Sequence, residues 1–179
     1  MNRQNARMDT MSDAQIIEAL ERLDQVLGRS GERAQIYLVG GAVMCLVHRA
    51  RTATKDIDAW FSDPGVVRAA ARIVAAELGL PDNWLNDAVK AFLPRNAGFN
   101  QWRSLPNLDI SVADDRTLLA MKCAAARTTE DANDIQFLAA RLGLSSSAEV
   151  LEVVLSYYPA EQLPVRTRLL LEEMLDDGE

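Results

Sequence analysis

Two carboxylates separated by one residue are the strongest chemical signal in the sequence. Asp56 and Asp58 flank Ile57, and they follow the pair Gly40-Gly41 at a spacing of fifteen positions. Side chains alternate along a strand with a period of two, so both carboxylates would face the same side. Carboxylate oxygens and substrate phosphates are the ligands that Mg²⁺ prefers, and Gly-Gly leaves the backbone free to approach a phosphate. The pattern predicts metal-assisted phosphoryl or nucleotidyl transfer, with Mg²⁺ or Mn²⁺ held by Asp56 and Asp58.

Three segments carry a resemblance to a known family. Gly40-Gly41 and Asp56-Ile57-Asp58, on a predicted strand–turn–helix–strand frame, resemble the nucleotidyltransferase superfamily, which shares the fold of DNA polymerase β. The downstream run resembles the toxin-type members found in phage abortive-infection and toxin–antitoxin systems; it comprises Leu118-Leu119-Ala120-Met121-Lys122, Arg127, Asp131 and Asp134-Ile135. Trp84-Leu85-Asn86-Asp87 resembles a motif of a small bacterial branch of these proteins. The resemblance covers about residues 36 to 143.

The resemblance implies an enzyme that transfers NMP from an NTP to a hydroxyl acceptor. The implied acceptor is RNA, above all tRNA, or a protein side chain, and the implied partner is an antitoxin protein. The positions expected to contact the nucleotide are Gly40, Gly41, Thr54, Lys55 and Lys122. The positions expected to take part in catalysis are Asp56, Asp58, Asp87, Lys122 and Asp134.

A third carboxylate is usual in active members of this family, and the sequence leaves its identity open. Asp109 has the usual location, on the strand predicted at Leu108, Ile110 and Val112. Asp87 has the more distinctive setting, and we favour it. Asp131 and Asp134 also have a plain interpretation, because carboxylates in the first turn of a helix are stabilised by its dipole.

Two other functions remain open on the sequence. A catalytically silent nucleotidyltransferase fold that serves as a binding module fits the unassigned third carboxylate and the acidic composition. A small-molecule modifier, such as an antibiotic nucleotidyltransferase, fits less well because the C-terminal helical region is short. A basic cluster, formed by His48, Arg49, Arg51 and Lys55, is either a phosphate-binding segment or a solvated loop.

The elements that must position these residues form an α/β (α+β) pattern. Strands are predicted at 35–39, 56–61 and 108–112, and helices at about 12–27, 42–48, 64–78 and 115–127. A short helix is predicted from Pro81 to about Pro94 and a loop from Asn96 to Pro106. A helix capped by Thr128 or Thr129 and helices at 147–158 and 164–175 follow. We therefore expect a small mixed nucleotidyltransferase-type sheet flanked by helices, as a core over 1–115 and a helical region over 116–179, packed as a single compact unit.

Composition limits the remaining possibilities. The chain of 179 residues carries a net charge of −7, which argues against a broad nucleic-acid-binding surface. We expect a cytoplasmic protein without a membrane segment, since no signal-like or spanning apolar run is present. Cys45 and Cys123 lie in apolar helical patterns, which predicts buried free thiols.

Overall fold

A computed structural model describes residues 10–125 and 129–176. In chain order the elements are strand β1 (Met11–Ser12), helix α1 (Asp13–Arg29), β2 (Ala34–Leu38), α2 (Gly40–Leu46), β3 (Ala53–Thr54), β4 (Ile57–Phe61), α3 (Pro64–Leu78), β5 (Leu85–Asn86), β6 (Phe99–Ser104), β7 (Leu108–Ala113), α4 (Asp115–Ala125), α5 (Thr129–Leu142), α6 (Ser147–Leu155) and α7 (Val165–Leu175). The expected α/β class is confirmed. The predicted end of one helix at Arg127 and the cap at Thr128 lie outside the described residues.

Five strands form one mixed sheet in the order β5-β4-β2-β7-β6. Strand β2 lies antiparallel to β4 and parallel to β7, and β5 lies parallel to β4. Strands β1 and β3 form a separate antiparallel pair in which Met11 is opposite Thr54. The mixed sheet places the chemically interesting strand, β4, between β2 and the short edge strand β5.

The chain folds into two compact units. The N-terminal unit comprises the described residues up to Ala91 together with 101–112, and the C-terminal unit comprises 92–100 together with the described residues from 113 onward. In the N-terminal unit α1 packs against α3, and one face of the sheet supplies the core. In β2 and β4 the buried residues alternate with exposed or partly exposed neighbours; the buried ones are Ala34, Ile36, Leu38, Ile57, Ala59 and Phe61. In the C-terminal unit α4 packs against α5 and α6.

Local sequence accounts for several helix ends. Ser12 and Ser146 each form a capping box, with Gln15 and Glu149 respectively. Pro64 begins α3, and Gly79 ends it in the left-handed conformation. Both cysteines are buried free thiols, as expected.

Two local predictions were wrong. The segment predicted as a helix from Pro81 contains β5 and a 3₁₀ turn at Ala88–Ala91. The edge of β4 offers backbone groups for pairing, and Ile57 N donates to Trp84 O at 2.7 Å, so tertiary pairing overrides the helical pattern. The segment predicted as a loop from Asn96 contains β6. No residue of β6 is buried, so this strand lacks the apolar alternation that would have revealed it.

None of the described helices is both long enough and apolar enough to cross a lipid bilayer.

Candidate functional site

The acidic pair lies at the start of β4. Asp58 is in the strand, Asp56 directly precedes it, and Ile57 between them is completely buried. Asp56 and Asp58 are both partly exposed. Strand alternation therefore directs the two carboxylates away from the core and toward the same face, as the sequence predicts.

The Gly-Gly turn packs directly against this pair. Val39 N donates to Asp58 O at 3.0 Å, which joins the end of β2 to the start of β4. Gly40 has a φ of +63°, in the region that favours glycine, and a Cβ built on it would lie 3.4 Å from Asp58 Oδ2. A Cβ built on Gly41 would overlap the hydroxyl oxygen of Thr54. Both glycines thus keep the backbone open at the acidic pair.

Thr54 and Arg51 line the other side of the turn. The Thr54 hydroxyl donates to the backbone oxygen of Asp56 at 3.2 Å, and the pairing of β3 with β1 holds Thr54 in place. Arg51 Nη1 lies 3.7 Å from the position of a Cβ on Gly41. A cation therefore adjoins the Gly-Gly turn within the N-terminal unit. The sequence marked Arg51 only as part of the basic cluster, and nothing in its spacing set it apart from Arg49.

Neighbouring groups and partial burial act on the pKa of the Asp56 carboxyl group. Burial raises its pKa, while a hydrogen bond from Asn86 and the charge of Lys55 act in the opposite direction. Asn86 Nδ2 donates to Asp56 Oδ2 at 3.2 Å. A nearby divalent cation would offset the cost of burying this carboxylate, so the donor set is compatible with a hard metal ion.

Asp87, the favoured third carboxylate, has a different partner. Arg68 on α3 contacts it in a bidentate arrangement, with Nη2 at 2.9 Å from Oδ1 and 2.7 Å from Oδ2. The register of β5 against β4 places Asn86, one residue earlier, opposite Asp58. The segment therefore brings the amide of Asn86, and not the carboxylate of Asp87, to the acidic pair.

Asp109, the other candidate, lies farther along the sheet. It is opposite Gln35 on β2, whereas Asp58 adjoins Val39. Four residues along a strand correspond to about 13 Å, which is too far for one metal ion to bind both carboxylates directly. The Asp109 carboxylate also accepts a hydrogen bond from the Ser104 hydroxyl. Across the described ranges 10–125 and 129–176, no three His, Cys, Asp or Glu side chains gather at metal-binding distances.

Lys122 and Asp134 belong to the C-terminal unit, where they form an ion-pair cluster with Asp131. Lys122 Nζ lies 2.8 Å from Asp131 Oδ1 and 2.9 Å from Asp134 Oδ2. The Lys122 side chain is 11% exposed and that of Asp134 only 4%, so the cluster is largely desolvated. The cluster joins α4 to α5, so the three residues have a structural role. The catalytic roles of Lys122 and Asp134 stay predictions.

Comparison of the chain with family models, curated protein sequences and solved structures gave no match.

Proposed function

We propose that this protein is a metal-dependent nucleotidyltransferase that transfers NMP from an NTP to a hydroxyl acceptor. The observation that supports it best is the packing of the Gly40-Gly41 turn against Asp58. A turn whose backbone leaves room for a phosphate therefore lies beside a carboxylate pair that is suited to a divalent cation.

Each residue of this candidate site has a role in the proposed reaction. Asp56 and Asp58 would hold Mg²⁺ or Mn²⁺, which when bound supplies charge stabilisation at the reacting phosphate. Gly40 and Gly41 would admit the triphosphate, and Arg51, with Lys55 nearby, would offset its charge. The acceptor oxygen forms a bond to the α-phosphorus as the bond to the bridging oxygen breaks, which releases pyrophosphate, and the hydroxyl proton passes to solvent.

The proposed acceptor is RNA, with tRNA first and a protein side chain second. The resemblance to toxin-type members supports this choice and implies an antitoxin partner. The basic segment from His48 to Lys55 directly precedes the acidic pair in the chain and offers a local contact for a phosphate backbone despite the acidic composition.

Incubation with each α-labelled NTP, Mg²⁺ or Mn²⁺, and total tRNA tests the transfer. Wild-type protein should label the RNA, and Asp58→Asn should abolish labelling without changing the fold. Asp82→Asn, at an exposed carboxylate of the same unit, should label as wild type does. Labelling that survives Asp58→Asn would remove the acidic pair from the mechanism.

A silent binding module is the second candidate, and one observation favours it. Asp87 is held by Arg68 and Asp109 lies along the sheet, so neither predicted third carboxylate adjoins the pair. Such a module would bind NTP with metal in calorimetry, and Asp58→Asn would weaken that binding, while no label would enter RNA or protein with any of the four nucleotides.

A further inference from the structure

The segment Trp84–Asp87 is fixed on both sides of Asn86. The indole nitrogen of Trp84, a completely buried residue, donates to Ala71 O on α3 at 2.9 Å. On the other side, Asp87 forms its bidentate ion pair with Arg68, also on α3. Between these anchors Leu85 and Asn86 pair in parallel with Ile57 and Asp58. The backbone at Asn86 is thereby held at the level of the acidic pair.

The amide of Asn86 has only one orientation that satisfies both of its ends. Its Oδ1 accepts from Ala88 N at 3.2 Å, and its Nδ2 donates to Asp56 Oδ2 at 3.2 Å. Rotating the amide by half a turn would place an oxygen against the Asp56 carboxylate and a donor against the Ala88 N–H. The two contacts therefore fix which atom faces Asp56.

We infer that Asn86 is a positioning residue of the proposed metal site, orienting the carboxylate of Asp56 through its amide. This inference rests on the proposed function and extends it. A carboxylate has two oxygens, and the bond to Asn86 restrains the rotation of the one it contacts. The Asp56 side chain is then ordered before a cation binds, and the entropy of ordering it is lost on folding instead of on binding.

The Asn86–Ala88 contact by itself has a simpler explanation. An asparagine oxygen that accepts from the backbone two residues later is a common turn arrangement, and it needs no acidic neighbour. That contact accounts for the oxygen of Asn86 but not for the amide nitrogen, since an aspartate would serve the turn equally well. A test must therefore separate an effect that passes through Asp56 from one that only stabilises the turn.

A double-mutant cycle on Mn²⁺ affinity makes this separation. Free Mn²⁺ is measured by electron paramagnetic resonance in titrations of wild type, Asn86→Ala, Asp56→Ala and the double variant, with Asp58 intact in all four. Asn86→Ala should weaken Mn²⁺ binding by about tenfold or more in the wild-type background, as expected for loss of a residue that orients a ligand. In the Asp56→Ala background the same change should alter affinity by no more than about twofold, because its target is gone.

Two controls complete the experiment. Asn83→Ala, at an exposed asparagine directly before the segment Trp84–Asp87, should bind Mn²⁺ as wild type does. Urea unfolding of each variant identifies any general loss of structure. Equal losses in both backgrounds, or no loss in either, would overturn the role of Asn86 while leaving Asp56 and Asp58 as the proposed ligands. Absence of Mn²⁺ binding in the wild type would overturn the proposed metal site itself and the inference with it.

Discussion

Gly41 leaves no room for a side chain, because a Cβ there would overlap the Thr54 hydroxyl. Thr54 is buried and its hydroxyl is bonded to Asp56 O, so it cannot move away without loss. Gly41→Ala should therefore lower the free energy of unfolding by about 1–3 kcal/mol, the usual cost of overpacking. Urea unfolding followed by circular dichroism measures this change.

A second-site change identifies the cause of that loss. Removing the hydroxyl with Thr54→Ala should make the added Gly41→Ala change less costly than it is in the wild type, because the obstructing atom is gone. Gly65→Ala is the matched control, since its Cβ would lie 3.4 Å from Asp63 Oδ1, an ordinary contact distance. An equal cost for Gly41→Ala with and without the Thr54 hydroxyl would show that crowding is not the reason.

The acidic pair and the glycine turn could be predicted from spacing, whereas Asn86 could not. Asp56, Ile57 and Asp58 alternate between one partly exposed face and the core, which a period of two reveals directly. In Trp84-Leu85-Asn86-Asp87 two polar residues are adjacent, and a shift of one residue exchanges the faces they occupy. The register of β5 against β4 decides which of the two residues faces the acidic pair. That register depends on the hydrogen bond from Trp84 to Ala71 O on α3, and Ala71 lies 13 residues earlier in the chain. Local sequence does not contain that information.

Helices α4 and α5 are joined by the ion pairs of Lys122. Replacing the lysine by Met would leave the two carboxylates, Asp131 and Asp134, without this cation in a largely desolvated setting. Loss of one partner from a buried ion pair costs about 3–5 kcal/mol, and we expect Lys122→Met to lower the free energy of unfolding by that order. Lys90→Met, at an exposed lysine, should change stability little.

A compensating change distinguishes this electrostatic cause from lost packing. Lys122→Met combined with Asp134→Leu removes one of the buried charges as well, and should recover part of the lost stability. Both variants are compared by urea unfolding at neutral pH. A double variant less stable than Lys122→Met alone would contradict the electrostatic explanation.

The start of α6 is joined to the end of α7 by Asp176. Hydrogen bonds from the Ser147 hydroxyl and then the Ser147 N–H, the latter at 3.0 Å, lower the Asp176 pKa below its ordinary value of 3.8. A depressed pKa means that the folded state favours the ionised form. The contribution is therefore complete above the unfolded-state pKa and is lost as the pH falls through the lower folded-state pKa.

Asp176→Asn should accordingly be less stable than wild type at pH 7, and the difference should shrink as the pH falls below about 4. Urea unfolding at a series of pH values gives the difference curve. Asp82→Asn serves as the control, because Asp82 is an exposed carboxylate of the N-terminal unit, away from the ends of α6 and α7 in the chain. A difference between wild type and Asp176→Asn that grows toward acid would contradict the assigned sign.

Elements with strong local signals were predictable and the edge elements were not. Ser12, Ser146 and Gly79 mark helix ends through short-range hydrogen bonds and backbone conformation, which neighbouring residues determine. Strands β5 and β6 lie at the two edges of the sheet; β5 pairs with β4, which is distant in the chain, and β6 has no buried residue that would mark it as a strand. The strand conformation of β5 and β6 depends on pairing within the assembled sheet, so local sequence alone does not identify them as strands.

The net charge of the whole molecule limits how it could bind the proposed RNA acceptor. With a net charge of −7, long-range attraction of a polyanion is absent, and only a local cluster can supply phosphate contacts. Arg49, Arg51 and Lys55 provide three cations between α2 and β4. Each phosphate contact contributes about −0.7 to −0.9 to the slope of log K against log salt, so three contacts predict a slope of about −2 to −3.

Fluorescence anisotropy of labelled tRNA over a series of KCl concentrations measures this slope. Arg49→Asn should make it shallower by about 0.7 to 0.9, since one cation is removed. Asparagine suits this position because Arg49 has a φ of +52°, which asparagine tolerates better than most residues. Arg33→Asn, at an exposed arginine outside the cluster, should leave the slope unchanged. A wild-type slope near −6, or one that Arg49→Asn does not alter, would place the RNA on a different and broader surface, because a three-cation segment cannot release that many counterions.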